Sequence, residues 1–291
     1  AIGRAIGDRY AQARRAWQAF ARPGTLPRME PGERARFADF ATLDEASAEA
    51  KYSPIAQTAA ETIQLRRFLQ GLSVTRRMIV DDDLDAVGEA IRAIAAAAVR
   101  TEDELAFRVL VDNAAMADGT PLFDASRNNT APSPTTIAAG MELLATQTDR
   151  GGTPLDHEAA VILTPASLKL DVEGALGDVR PLADRPRVVS SGWLDYLQAQ
   201  NGVERFAYIA ADPEQHAALE VATLATQPEP AVRQRVAFDT EAVQIRVSHF
   251  AGAAAVDPQA IVRVQLVYTL SGAGPVKPPG PSPATASPQH R

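Results

Sequence analysis

Four histidines, His157, His216, His249 and His290, are the side chains in this sequence best suited to proton transfer or metal ligation near neutral pH. None has a second histidine within a helical turn, so the spacing that puts two imidazoles on one metal is missing. Asp156-His157-Glu158 is polar and precedes an apolar run, which reads as a solvated turn; His249, beside Phe250 near a strand end, reads as structural. Asp81-Asp82-Asp83 could offer oxygen ligands to a hard cation, but three adjacent carboxylates point in different directions and no calcium-loop spacing follows. They read better as the cap of a helix, where negative charge meets the positive end of the dipole. No serine sits in a Gly-x-Ser-x-Gly elbow and no Gly-x-x-x-x-Gly-Lys loop is present. Cysteine is absent, which removes disulfides, thiolate metal sites and cysteine nucleophiles. The chemistry-bearing residues thus form no constellation; no metal or cofactor is expected, and an enzyme, perhaps a hydrolase, survives only as the alternative.

The bulk numbers turn attention to packing and assembly. The 291 residues, 46% of them hydrophobic, suit two modest domains with real cores. A net charge of -7 argues against a general polyanion binder. Residues 1–36 depart from that average: eight arginines, Arg4, Arg9, Arg14, Arg15, Arg22, Arg28, Arg34 and Arg36, face three acids, a local balance of +5. This stretch reads either as a solvated helix face or as a contact with an acidic neighbour or DNA. No apolar run approaches the roughly 20 residues of a membrane span.

The elements that must position these residues follow from periodicity. Ile6, Tyr10, Ala13, Trp17 and Phe20 step by four and three, which predicts an N-terminal helix, and Pro23, Gly24, Pro27, Pro31 and Gly32 predict an extended connector after it. Residues 37–60 are polar and alanine-rich, so they cannot form a core and should project from the body. Thr62 to Met78 reads as a long strand, with Gly71 as a bulge or bend. Val87, Ile91, Ile94, Ala98, Leu105 and Val109 predict the longest helix, on the order of 40 Å. Asp118-Gly119-Thr120-Pro121 is a turn, Pro134 to Gln147 a helix, and Thr164-Pro165 a helix start. Ala159–Leu163, Arg187–Val189, Phe206–Ala210, Leu219–Leu224 and Val243–Val247 are strand candidates, so the chain is α+β. From Ser271 onward Gly, Pro, Ser and Ala dominate and periodicity ends.

The segment Gly71-Leu-Ser-Val-Thr-Arg-Arg-Met-Ile-Val-Asp-Asp-Asp-Leu84 resembles the strand-to-helix junction of Mu-like phage major head subunits. Met116-Ala-Asp-Gly-Thr-Pro-Leu-Phe123 is similar to that family's loop after the long helix, and Asp124-Ala-Ser-Arg-Asn128 stands where the family often has a histidine that is missing here. Arg205 to Pro213, Ala218 to Ala222, and Phe238-Asp-Thr240 through Ala255-Val-Asp257 resemble its closing strands, so the likeness runs collinearly over residues 37–265.

The resemblance implies the tailed-phage capsid fold: an N-terminal arm (1–36), an extended loop (37–80), a peripheral domain with a long spine helix (81–150 and 238–270), an axial domain (151–237) and a Pro/Gly/Ser-rich tail (271–291). It further implies a major capsid protein, assembled in a bacterial host's cytoplasm into hexamers and pentamers of a virion shell around double-stranded DNA. Portal and decoration proteins would be partners, with no membrane involved; an encapsulin-like compartment is the alternative within the fold. Inter-subunit contact is then expected at Phe37, Phe40, Lys51 and Tyr52 of the loop, and interior or neighbour contact at Arg4, Arg9, Arg14, Arg15 and Trp17 of the arm. A start at Ala1 suits a maturation cut, a recombinant start being the other reading. Some relatives cross-link a loop lysine to a neighbour's asparagine. Only Lys51 of the three lysines lies in the loop, and Glu45, Glu49, Ser47 and Ser53 around it should keep it charged, so a non-covalent shell is expected although Asn128 and Asn129 are conceivable acceptors.

Overall fold

The computed structural model describes residues 2–34, 60–75, 84–131, 136–149, 152–179, 185–203, 205–236 and 242–265. Helix α1 (Ile2–Gln12) is followed by a short 3₁₀ turn (Trp17–Ala19), so the predicted N-terminal stripe is split between two elements. Its members Ile6, Tyr10, Trp17 and Phe20 are nevertheless all buried. The proline-rich connector contains strands β1 (Ala21–Leu26) and β2 (Gly32–Arg34), each at a sheet edge where a missing N–H is tolerated.

Helix α2 (Leu84–Asp112) spans 29 residues, about 43 Å at 1.5 Å per residue. Its alanine run favours helix intrinsically. Among the described residues its buried positions are Ile94, Ala95, Ala98, Val99, Glu102, Asp103, Ala106, Phe107, Leu110 and Val111. They recur every four residues, and each such step overshoots a full turn by about 40°, so the buried stripe winds about 160° around the helix between Ile94 and Leu110. The first half therefore faces α1, and the second faces the main core of Phe20, Leu122, Leu163, Leu194, Leu197, Tyr208 and Leu219. The expected straight stripe ran through Leu105 and Val109, which are only half-buried.

Two sheets share this core. The larger has the order β1–β8 (Leu219–Leu224)–β10 (Val243–Ala255)–β4 (Arg66–Val74), with β9 (Ala231–Val236) also paired to β10. The smaller has the order β11 (Ile261–Gln265)–β7 (Phe206–Ala210)–β5 (Val161–Pro165)–β6 (Arg187–Ser191). This assignment crosses the expected domain boundaries: β8 and β9 join β10, and β11 closes the other sheet. Strand β2 pairs with β3 (Glu61–Ile63). The predicted long strand is broken at Gln64–Leu65 instead of Gly71, whose ladder to Arg246 is continuous. Gly71 is therefore no bulge.

Helix α3 (Ile137–Ala145) is shorter than predicted and is capped by Thr136, whose hydroxyl accepts from the Ala139 N–H at 3.2 Å. It sits so close to the smaller sheet that a Cβ on Gly140 would lie 2.5 Å from Val264 Cγ2. Helix α4 (Lys169–Val179) buries Val172 and Leu176 on the same side. The helix start expected at Thr164-Pro165 is a 3₁₀ turn (Ala166–Leu168), and its free N–H groups go to Asp195 of α5 (Gly192–Asn201). No helix among the described residues is long and apolar enough to cross a membrane.

Candidate assembly interface

One acid on the buried stripe of α2 ties the N-terminal segment to the body. Glu102 is fully buried, and both of its oxygens are used. Oε2 accepts from Arg15 Nε at 3.2 Å and Trp17 Nε1 at 3.1 Å, while Oε1 accepts from the Tyr10 hydroxyl and lies 2.8 Å from His249 Nε2 on β10. The Arg15 guanidinium lies 4.3 Å from the centre of the Tyr10 ring and donates to the Tyr10 carbonyl at 3.0 Å. Next door, Asp103 accepts the Trp17 backbone N–H at 3.0 Å. Four elements thus converge on one carboxylate.

The two acids differ electrostatically. Burial by itself would raise the Glu102 pKa, but hydrogen bonds from His249, Tyr10 and Trp17 outweigh it and hold the carboxyl below its ordinary value. Asp103 is pushed up, chiefly by burial, against the N–H groups of Trp17 and Ala16. Burial and the Glu102 charge also raise the Tyr10 phenol.

A second buried acid fixes the ladder from which residues 35–60 leave. Glu220 on β8 accepts from Arg22 Nε of β1 at 3.0 Å and from Arg34 Nε of β2 at 2.8 Å. Arg34 also donates to the Thr25 carbonyl at 3.2 Å. Gly24 leaves the space this requires, since a Cβ there would lie 2.0 Å from Glu220 Oε1. Arg34 is the more buried of the pair, at 23% against 48% side-chain exposure for Arg22. Arg34→Ala is expected to cost about 1.5–3 kcal/mol and Arg22→Ala less than about 1 kcal/mol, measured by urea unfolding. Equal losses would mean that the clamp is not graded by burial.

Of the residues singled out in the sequence, Phe37, Phe40, Lys51, Tyr52 and the triplet Asp81–Asp83 lie outside the described residues. Arg4 is on α1, and Arg9 and Arg14 are exposed. The side chains of Arg15 and Trp17 turn inward to Glu102, because a buried carboxylate needs donors and the split after α1 swings both toward α2. The solvated turn expected at His157 is corrected, since the residue is 3% exposed with its ring centre 4.4 Å from that of His216. The turn it was assigned to runs straight into buried β5, which carries the ring inside. Asn129 is unsuited to cross-linking, since it is buried, accepts from the Asp124 N–H, and donates to the Leu122 and Pro258 carbonyls. Glu102, Asp103 and Glu220 escaped the sequence reading, although an acid four residues after Ala98 on the apolar stripe was a usable signal. No cluster of three or more metal-ligating side chains occurs among the described residues.

The arrangement of one long helix and two sheets matches solved phage capsid structures. A solved structure from Mycobacterium phage Bobi matches with a TM-score of 0.54 at 11% identity, covering 86% of this chain and 89% of that one. One from Microbacterium phage Oxtober96 gives 0.53 at 13%, covering 88% and 92%. The procapsid of bacteriophage JBD30 gives 0.53 at 16%, covering 92% and 74%. No curated protein sequence matches the chain. The phage capsid protein family model matches residues 59–264, and the chain belongs to that family. It is a major capsid protein, a structural subunit of a homo-oligomeric head shell in the virion and not an enzyme.

Proposed function

We propose that this subunit builds the icosahedral head of a Mu-like tailed phage, in hexamers and pentamers around double-stranded DNA, after assembly in the host cytoplasm. The observation that carries the reading is the β2–β3 ladder: Arg34 pairs with Glu61, so residues 35–60 leave and rejoin the body at one point held by Glu220. An excursion too polar to core itself gains its stabilising contacts from neighbours. In this reading Phe37, Phe40, Lys51 and Tyr52 contact an adjacent subunit, and exposed Arg9 and Arg14, with Arg4, face neighbours or packaged DNA. The large sheet with α1 and α2 forms the peripheral domain, and the small sheet with α3, α4 and α5 forms the axial domain. Portal and decoration proteins complete the head.

The test is electron microscopy of purified particles, nuclease-protected DNA measurement, and a denaturing gel after boiling. Closed shells with DNA inside and one band near 31 kDa are expected. Protein cargo in place of DNA would favour an encapsulin-like compartment. A ladder abolished by Lys51→Ala would overturn the non-covalent shell.

A further inference from the structure

Helix α5 carries an aromatic pair that stands open on its outer side. The helix runs alongside α2, its first residues beside Arg100 and Glu104 and its last, Asn201, donating from its side-chain amide to Asp112 at 2.9 Å. At the first of these ends lies an open slot of about 550 Å³, lined by Arg100, Glu104, Gly192, Trp193 and Tyr196. Its floor is bare at Gly192, where a Cβ would have nothing within 4 Å. Its wall is formed by the Trp193 and Tyr196 rings, set edge to face with centres 6.0 Å apart. Trp193 is half-buried and Tyr196 is 55% exposed. Trp193 Nε1, the Tyr196 hydroxyl and the Arg100 guanidinium have no hydrogen-bond partner among the described residues.

Open aromatic rings beside free donors suit one kind of ligand in particular. A polyproline II helix makes no internal hydrogen bonds, so its carbonyls are all available, and its proline rings pack on aromatic side chains. The chain carries such a segment. Five of the nine residues 275–283 are proline, and Pro275, Pro278 and Pro281 recur at steps of three. With three residues per turn, those three rings fall on one ridge. Lys277 is the one charged residue among the nine, and Glu104 stands at the slot.

The last described residue lies next to this helix. Gln265 at the end of β11 pairs with Phe206, and the Gln198 side chain of α5 holds both the N–H and the carbonyl of Phe206. Trp193 is five positions back along α5, about 7.5 Å of rise and part of the way round a helix roughly 10 Å wide. The nine intervening residues, 266–274, can span about 28 Å at 3.1 Å each, which covers that path. We infer that residues 275–283 occupy the α5 slot of their own subunit as a polyproline II helix, the proline ridge on Trp193 and Tyr196 and the carbonyls on the Trp193 and Arg100 donors. The clasp belongs to the single subunit and does not depend on the shell.

Tryptophan quenching and a photo-cross-link on purified subunits test it. Trp17 is buried and hydrogen-bonded, so quenching by acrylamide reports chiefly on Trp193. Deleting residues 271–291 should raise the quenching constant at least about twofold, because the indole then loses its cover. Pro278→Ala with Pro281→Ala should act in the same direction. So should Gly192→Leu, which fills the slot from a position with free space around it and leaves the core untouched. Thermal melting is the folding control for each variant. With p-benzoylphenylalanine in place of Tyr196, irradiation should join this position to residues 275–283 within one chain, as read by peptide mass spectrometry of the monomer band. A cross-link between two chains would put the segment on a second copy and overturn the own-subunit assignment. Quenching that the deletion leaves unchanged, or a cross-link that never reaches residues 275–283, would overturn the site altogether.

Discussion

Replacing Glu102 with alanine should lower the stability of the subunit by about 3–5 kcal/mol, the range found when one member of a buried, hydrogen-bonded charge pair is removed. The substitution strands the Arg15 guanidinium, the Tyr10 hydroxyl, the Trp17 indole N–H and His249 Nε2, four groups that now share one acceptor. Tyr10, Trp17 and His249 are buried and have no water to turn to, whereas Arg15, at 13% side-chain exposure, keeps the Tyr10 carbonyl. Guanidinium unfolding followed by tryptophan fluorescence is the measurement, and Trp17 is one of only two tryptophans that report. Glu102→Gln keeps the shape and an acceptor oxygen but not the charge, so its loss should be smaller. A Glu102→Ala subunit within about 1 kcal/mol of wild type would mean that packing alone holds the N-terminal segment.

The same site fixes the acid limb of stability. A carboxyl held below its unfolded pKa contributes stability that is complete above that unfolded value, about 4.3 for glutamate, and that disappears as pH falls through the lower folded value. Asp103 works in the opposite sense. Its raised pKa means that ionisation costs the folded state stability at higher pH, a cost absent below the unfolded value of about 3.9. Glu102→Gln should therefore flatten the loss of stability on acidification. Asp103→Asn, which keeps an oxygen for the Trp17 N–H, should raise stability near neutral pH.

Local periodicity carried much of this architecture in plain view. Phe206–Ala210 and Leu219–Leu224 are strands with the bounds the sequence implies, because an apolar run of five or six residues between turns has few other uses. The long helix was equally legible, but its buried side was not. A hydrophobic stripe reveals a helix only while its partners stay on one side, and α2 passes from α1 to the main core along its length. The charged anchors were hidden for a different reason. Glu102 and Glu220 are separated by 87 and 198 residues from Arg15 and Arg22, and no local pattern encodes a partner that far away. His157 shows the same limit in reverse: a polar neighbourhood in sequence became a buried one in space.

Two glycines within strands of the same sheet should respond oppositely to the same substitution. Gly252 lies in the C-terminal part of β10, where the chain bends between β3 and β4 directly above it, and a Cβ there would come within 2.3 Å of the Gln64 carbonyl oxygen. The obstacle is backbone, which cannot rotate aside as a side chain can, so Gly252→Ala must push the bend away or break the β10–β8 pairing beside it. About 3 kcal/mol or more is the expected loss, at the upper end for overpacked sites. Gly71, on the neighbouring strand, has nothing within 4 Å of the corresponding position. There the methyl group meets no resistance while the unfolded chain loses freedom, so Gly71→Ala should gain about 0.4–1 kcal/mol. Thermal melting of the two variants decides the matter. Because the bend over Gly252 also aims the β2–β3 ladder, the Gly252→Ala subunit should lose shell assembly along with stability. If both variants melt alike, the close crossing at Gln64 does not constrain the root of the loop, and the direction of residues 35–60 is set elsewhere.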